Sequence, residues 1–108
     1  MPVNFDIKEL KQAHNCNIWF ETGLWDVESS ETSLCKAVST DSFDKYCSVE
    51  INKDFIEIAT RKFKDNNKVI LFEGDSKNLA EYLDILELQD HDKILFFLDS
   101  HGSGLGCP

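Results

Sequence analysis

The sequence predicts an α/β fold built on a parallel sheet of about four strands with flanking helices. Two observations carry this reading. Short apolar runs alternate with amphipathic helical stripes, and strands joined through helices pair in parallel by right-handed crossovers. The runs also stop abruptly at polar residues, most clearly in KILFFLDSHG, where Ile94 to Leu98 give way to Asp99, Ser100, His101 and Gly102. That run shows no alternation and is too short for a free-standing helix. It reads as a strand buried on both faces.

In chain order, Phe5, Ile7, Leu10 and Ala13 form the apolar stripe of a short helix. It starts near Asn4 or Asp6, ends before His14-Asn15, and is expected to lie over one edge of the domain. Ile18, Trp19 and Phe20 signal a first strand that stops at Glu21-Thr22-Gly23. Residues 24–30 read as a loop. Leu34, Cys35, Ala37 and Val38 then mark a helix, with Ser29 or Ser30 as its cap and Glu31 in its electropositive first turn. Lys45 to Asn52 alternates through Tyr46, Cys47, Val49 and Ile51 as a second strand, with Glu50 at or near its end. Phe55, Ile56, Ile58, Ala59 and Phe63 predict a helix from Lys53 to Lys64 capped by Asn52. Val69 to Phe72 form a third strand ending in Glu73-Gly74-Asp75-Ser76. Leu79, Tyr82, Leu83, Leu86 and Leu88 follow as a helix capped by Ser76 or Asn78, and residues 89–92 turn into the fourth strand.

The 108 residues suffice for one small domain. Eleven basic against 20 acidic residues give a formal charge of −9. With no basic stripe to offset it, that charge disfavours nucleic acid and anionic lipid as partners. No apolar run approaches bilayer length, and MPVNFDIKELKQ lacks the basic and apolar regions of a signal peptide. Cys16, Cys35, Cys47 and Cys107 are widely spaced without a CxxC pair. They read as reduced thiols in a cytoplasmic protein, and no metal site is expected from them.

Ligands of open α/β sheets bind outside the carboxyl ends of the strands. Four such ends carry candidates here. Glu21 and Gly23 follow the first strand, where the glycine either allows close approach of a ligand or simply makes the turn. Glu50 ends the second, placed to accept from two ribose hydroxyls or to stand as a solvated acid. Asp75, beside Ser76, follows the third, able to accept from a base amino group or to cap the next helix. Asp99 and His101 follow the fourth, as acid–base groups, metal ligands or a plain turn. The combination favours an adenosine-type ligand. The acidic first loop (Asp26, Glu28, Glu31) and the lack of a GxxxxGK motif disfavour a pyrophosphate and suit a ligand with a cationic end.

Taken together, WFETG, YCSVEIN, LFEGDS and FFLDSHGSG resemble the successive strand-end motifs of class I S-adenosylmethionine-dependent methyltransferases. The likeness is to the small-molecule or sugar O-methyltransferase-like group and covers residues 17–108. It implies a Rossmann-like parallel sheet preceded by an N-terminal helical segment over residues 1–16. It also implies S-adenosylmethionine as cofactor and a small-molecule hydroxyl as methyl acceptor. By the same resemblance Glu21 and Gly23 line the methionine part, Glu50 holds the ribose, Asp75 and Ser76 lie near the adenine, and Asp99 and His101 face the acceptor as catalytic groups. The glycine-rich first motif of the family is reduced here to Gly23. The family's sheet continues past a fourth strand, so the resemblance implies a partial domain, truncated after that strand. An edge left there would need cover, for which a homo-oligomer is the expectation. A non-catalytic remnant or oligomerisation module of the same fold is the alternative.

Overall fold

A computed structural model of the chain describes residues 6–98. Its elements run α1 (Ile7–His14), β1 (Ile18–Thr22), α2 (Ser33–Thr40), β2 (Lys45–Glu50), α3 (Lys53–Lys62), β3 (Val69–Glu73), a 3-10 turn (Ser76–Asn78), α4 (Leu79–Leu86) and β4 (Ile94–Leu98). The four strands form one sheet in the order β3-β2-β1-β4, and every neighbouring pair is parallel. This is the Rossmann-like arrangement that the strand–helix alternation predicts.

Two of the helices start where local chemistry dictates. The Asp6 carboxylate accepts from the Glu9 N–H at 3.1 Å to open α1. The Asn52 side chain accepts from the Asp54 and Phe55 N–H groups to open α3. Helix α2 departs from expectation, and α4 starts behind Asn78, one of its two expected caps, without the side-chain bond. Helix α2 begins at Ser33, with Thr32 in the cap position and no side-chain cap bond, rather than behind Ser29 or Ser30. Ser29 instead receives the Glu31 N–H on its hydroxyl, which makes a turn within the loop. Before α4, Asp75 caps the 3-10 turn through the Lys77 N–H, while Asn78 contributes no side-chain bond.

The crossovers place helices on both faces of the sheet. On one face Trp19 and Tyr46, with Leu71, Leu95 and Phe97 beside them, pack against side chains of α1, α2 and α3. On the other, Ile18, Phe20, Cys47 and Val49 pack against Tyr82 and Leu86 of α4. The chain therefore changes faces and direction at β1, with β2 on one side of it and β4 on the other. Strand β1 is the centre of the molecule, and all five of its residues are buried.

The fourth strand has the predicted bounds but not the predicted burial. It lies at an outer position of the four-stranded sheet, paired to β1, and Phe96 is 42% exposed. The apolar cluster beneath α4 takes in Ile94, whereas Phe96 meets the ring of Phe20 at 5.7 Å. An apolar run thus reports affinity for a core without stating how many sides are covered.

At the amino-terminal edge, Asn17 stitches three strand starts together. Its side-chain amide donates to Asp92 at 2.8 Å and to Asp44 at 3.3 Å, and its carbonyl oxygen accepts from the Lys93 N–H at 2.7 Å. Asp92 also accepts from the Gln89 N–H at 2.7 Å. That backbone N–H first, and the Asn17 amide second, hold the Asp92 carboxyl below its usual range. The associated stability is present above the ordinary aspartate pKa of about 3.9 and lost as pH falls through the lower folded value. Asp92→Asn is therefore expected to lower the urea midpoint at neutral pH, with most of the deficit gone once the pH is below that folded value. Urea titrations across pH measure this.

Glu87 closes α4 in the left-handed region at φ 52° and is exposed. A side chain there costs about 1 kcal/mol that glycine avoids. Glu87→Gly is expected to raise stability by about that amount, read from the shift in the denaturant midpoint.

Candidate functional site

The carboxyl-terminal edge of the sheet brings Gly23, Glu50 and Asp75 to one side of the molecule. The register sets Thr22 beside Val49 on one flank and Leu98 on the other, and Glu50 beside Glu73. Backbone bonds carry the ladder past the strand ends. The Gly23 N–H donates to the Val49 carbonyl and the Gly74 N–H to the Glu50 carbonyl, both at 2.9 Å. The turns after β1, β2 and β3 are thereby one connected framework.

Gly23 adopts φ 84°, a conformation that a side chain would strain. Beyond it the chain needs residues 24–32 to reach α2, and this loop is anchored from below. Leu24 and Val27 are fully buried, and the Val27 carbonyl accepts from the Lys62 ammonium and the Cys35 thiol. Trp25 lies between them at φ 62°, and its N–H donates to Glu50 Oε1 at 3.1 Å. Glu50 Oε2 accepts from the Asn52 N–H at 2.9 Å. Each carboxylate oxygen has two acceptor directions, so a half-buried Glu50 engaged in this way keeps capacity for two further donors.

Glu21 is placed differently from the expectation that it lines a ligand. Strand β1 runs through Thr22, so Glu21 is a strand residue rather than part of the first loop, and it is 0% exposed. Its Oε1 accepts from the Trp19 indole at 2.9 Å and the Ser33 hydroxyl at 2.8 Å, and its Oε2 from the Ser48 hydroxyl at 2.7 Å. Such a carboxyl group holds neighbouring elements in place, above all the start of α2.

Asp75 sits in an extended conformation, with Oδ1 taking the Lys77 N–H at 2.9 Å and Oδ2 3.9 Å from the exposed Lys77 ammonium. Capping and ligand recognition are compatible here, since one oxygen performs the first. Ser76 opens the 3-10 turn. Asp99 and His101 lie outside the described residues. Among those described, no three His, Cys, Asp or Glu side chains come together as a metal-holding group. Cys16, Cys35 and Cys47 are free thiols, and burial pushes Cys47 up to about 12.

Two features of this edge escape sequence reading. Ile51 continues the apolar alternation of β2 and so reads as core, yet the strand ends at Glu50 and Ile51 is 71% exposed. Tyr82 reads as a core position of α4 and is buried, but its hydroxyl also donates to the Asp75 carbonyl at 3.1 Å. A Cβ on Gly74 would collide with that hydroxyl, which makes the glycine a packing requirement.

Compared with family models, with curated proteins and with solved structures, the chain finds no match in any of the three. The parallel, Rossmann-like topology is compatible with a nucleotide- or cofactor-binding scaffold in general, and the finer reading rests on these residues.

Gly74→Ala is expected to cost about 1–3 kcal/mol by overpacking. Most of that loss should vanish in a Tyr82→Phe background, where the struck atom is gone. A double-mutant cycle from chemical denaturation measures the coupling.

Proposed function

We propose that this chain binds S-adenosylmethionine at the carboxyl-terminal edge of its sheet and serves methyl transfer to a hydroxyl of a small-molecule acceptor. The observation that carries the reading is Glu50, whose two oxygens each hold one backbone N–H and keep an acceptor direction beside the Gly23 turn. Paired ribose hydroxyls match that arrangement. Ile51, exposed immediately after it, offers an apolar contact for a base. Asp75 adds an acceptor for an amino group.

The charge balance favours a sulfonium-bearing ligand over a phosphorylated one. Asp26, Glu28 and Glu31 surround the first loop, and the fully buried Glu21 carboxylate already takes the Ser33 hydroxyl at the start of α2. In dinucleotide-binding sheets the helix after the first strand receives a phosphate. Here Thr32 and Ser33 are buried, which closes that helix end to a phosphate. Methyl transfer from a sulfonium is a displacement, so such a site aligns the acceptor oxygen and removes its proton. In this reading Asp99 or His101 takes that proton.

A second reading, assembly without catalysis, draws on β4, whose Phe96 is exposed at an outer strand. The two part in solution. Under the cofactor reading, titration calorimetry gives saturable binding of S-adenosylmethionine or S-adenosylhomocysteine, and Glu50→Ala weakens it by roughly tenfold to a hundredfold. Absence of binding by the folded protein, together with a stable oligomer in light scattering, would favour assembly.

A further inference from the structure

We propose that the Tyr82 hydroxyl is a positioning group that makes this edge select an amino-bearing purine over an oxo-bearing one. The inference rests on the nucleoside reading above and concerns which base the site takes.

Tyr82 does more than fill the core. Its ring stacks on Phe72 of β3 at 4.7 Å between centroids, which fixes the phenol relative to the strand. From there the hydroxyl donates to the Asp75 carbonyl oxygen at 3.1 Å. The hydroxyl occupies the space that any side chain at position 74 would need, so glycine and phenol fit only as a pair. The Gly74 N–H is in turn fixed to the Glu50 carbonyl at 2.9 Å. The turn that presents Asp75 is therefore held at one end by the strand that carries Glu50 and at the other by Tyr82 together with the Asn78 N–H, which donates to the same carbonyl at 3.0 Å.

The chemical consequence is a matter of donors and acceptors. The Asp75 carbonyl takes the Tyr82 hydroxyl and the Asn78 N–H, and Oδ1 takes the Lys77 N–H, so the carboxylate keeps acceptor capacity chiefly on Oδ2, 3.9 Å from the exposed Lys77 ammonium. An ionised carboxylate accepts and does not donate. It pairs with the exocyclic amino group of adenine and opposes the oxygen that hypoxanthine carries at the same place. Discrimination of this kind depends on the acceptor being held still, because a mobile carboxylate turns away from the mismatched oxygen. Tyr82 adds to that restraint, beside the Lys77 and Asn78 N–H groups, without touching the ligand.

The test is competition binding of adenosine and inosine to the full chain, with S-adenosylhomocysteine as the reference ligand. The parent protein is expected to prefer adenosine by roughly tenfold or more. Tyr82→Phe keeps the stacked ring and is expected to bring the ratio to within about threefold of unity while the far-ultraviolet spectrum stays native. If Tyr82→Phe does not fold, Gly74→Ala displaces the same hydroxyl and should narrow the ratio likewise. A parent protein that binds both nucleosides equally overturns the inference. So does a folded Tyr82→Phe variant with the parental ratio, which would leave the hydroxyl a purely structural role. If S-adenosylhomocysteine and both nucleosides fail to bind, the nucleoside reading itself falls and takes the inference with it.

Discussion

The constraint on which most of this structure depends is the buried carboxylate of Glu21. A polar group removed from water costs free energy unless it is hydrogen-bonded. Among the described residues, donors meet it from three elements: Trp19 in β1, Ser33 at the start of α2 and Ser48 in β2. Those bonds act together on the fold. Ser48 is the register partner of Glu21, so their bond helps to fix how β1 and β2 align. Ser33 ties the beginning of α2 to the middle of the sheet. The loop over residues 23–32 is consequently stretched between two fixed points, Gly23 on the Val49 carbonyl and Ser33 on Glu21.

The strands were legible because apolar runs ending in polar residues are a local signal. The starts of α1 and α3 were legible for the same reason, since Asp6 and Asn52 bond to N–H groups two or three residues away. The start of α2 was not. Ser29 does bond a nearby N–H, as a cap would, but in a turn, and the hydroxyl of Ser33 is drawn to a carboxylate twelve residues back in the chain. A partner in another element leaves no mark on local sequence. Glu21 was misplaced by the same limit, because a carboxylate after three apolar residues reads as the end of a strand until its donors are known. Ile51 errs in the opposite direction. Its parity with Cys47 and Val49 implies burial, and the strand stops one residue short of it.

At the candidate site, Gly23, Glu50 and Asp75 were legible as a set, since the rule that ligands sit at carboxyl strand ends needs only the strand boundaries. What joins them was hidden. The backbone bonds from Gly23 and Gly74, and the Tyr82 hydroxyl on the Asp75 carbonyl, turn three separate turns into a single framework.

That framework has a consequence for how a ligand and the first loop act on each other. Trp25 is held at φ 62°, a conformation costing about 1–2 kcal/mol for a residue with a side chain. It is sustained by the buried neighbours Leu24 and Val27 and by the bond of its own N–H to Glu50. Under the proposed reading, the carboxylate that receives the ribose is therefore the one that keeps the first loop in place. Donors arriving at Glu50 find it already ordered by Trp25 and Asn52, and they fix its orientation further. Ligand binding and loop order then stabilise each other through one side chain. The same carboxylate, with Asp75 and the acidic loop, offers negative charge and acceptors. Under the proposed reading, that is the complement of a ligand bringing hydroxyl and amino donors and a positive end.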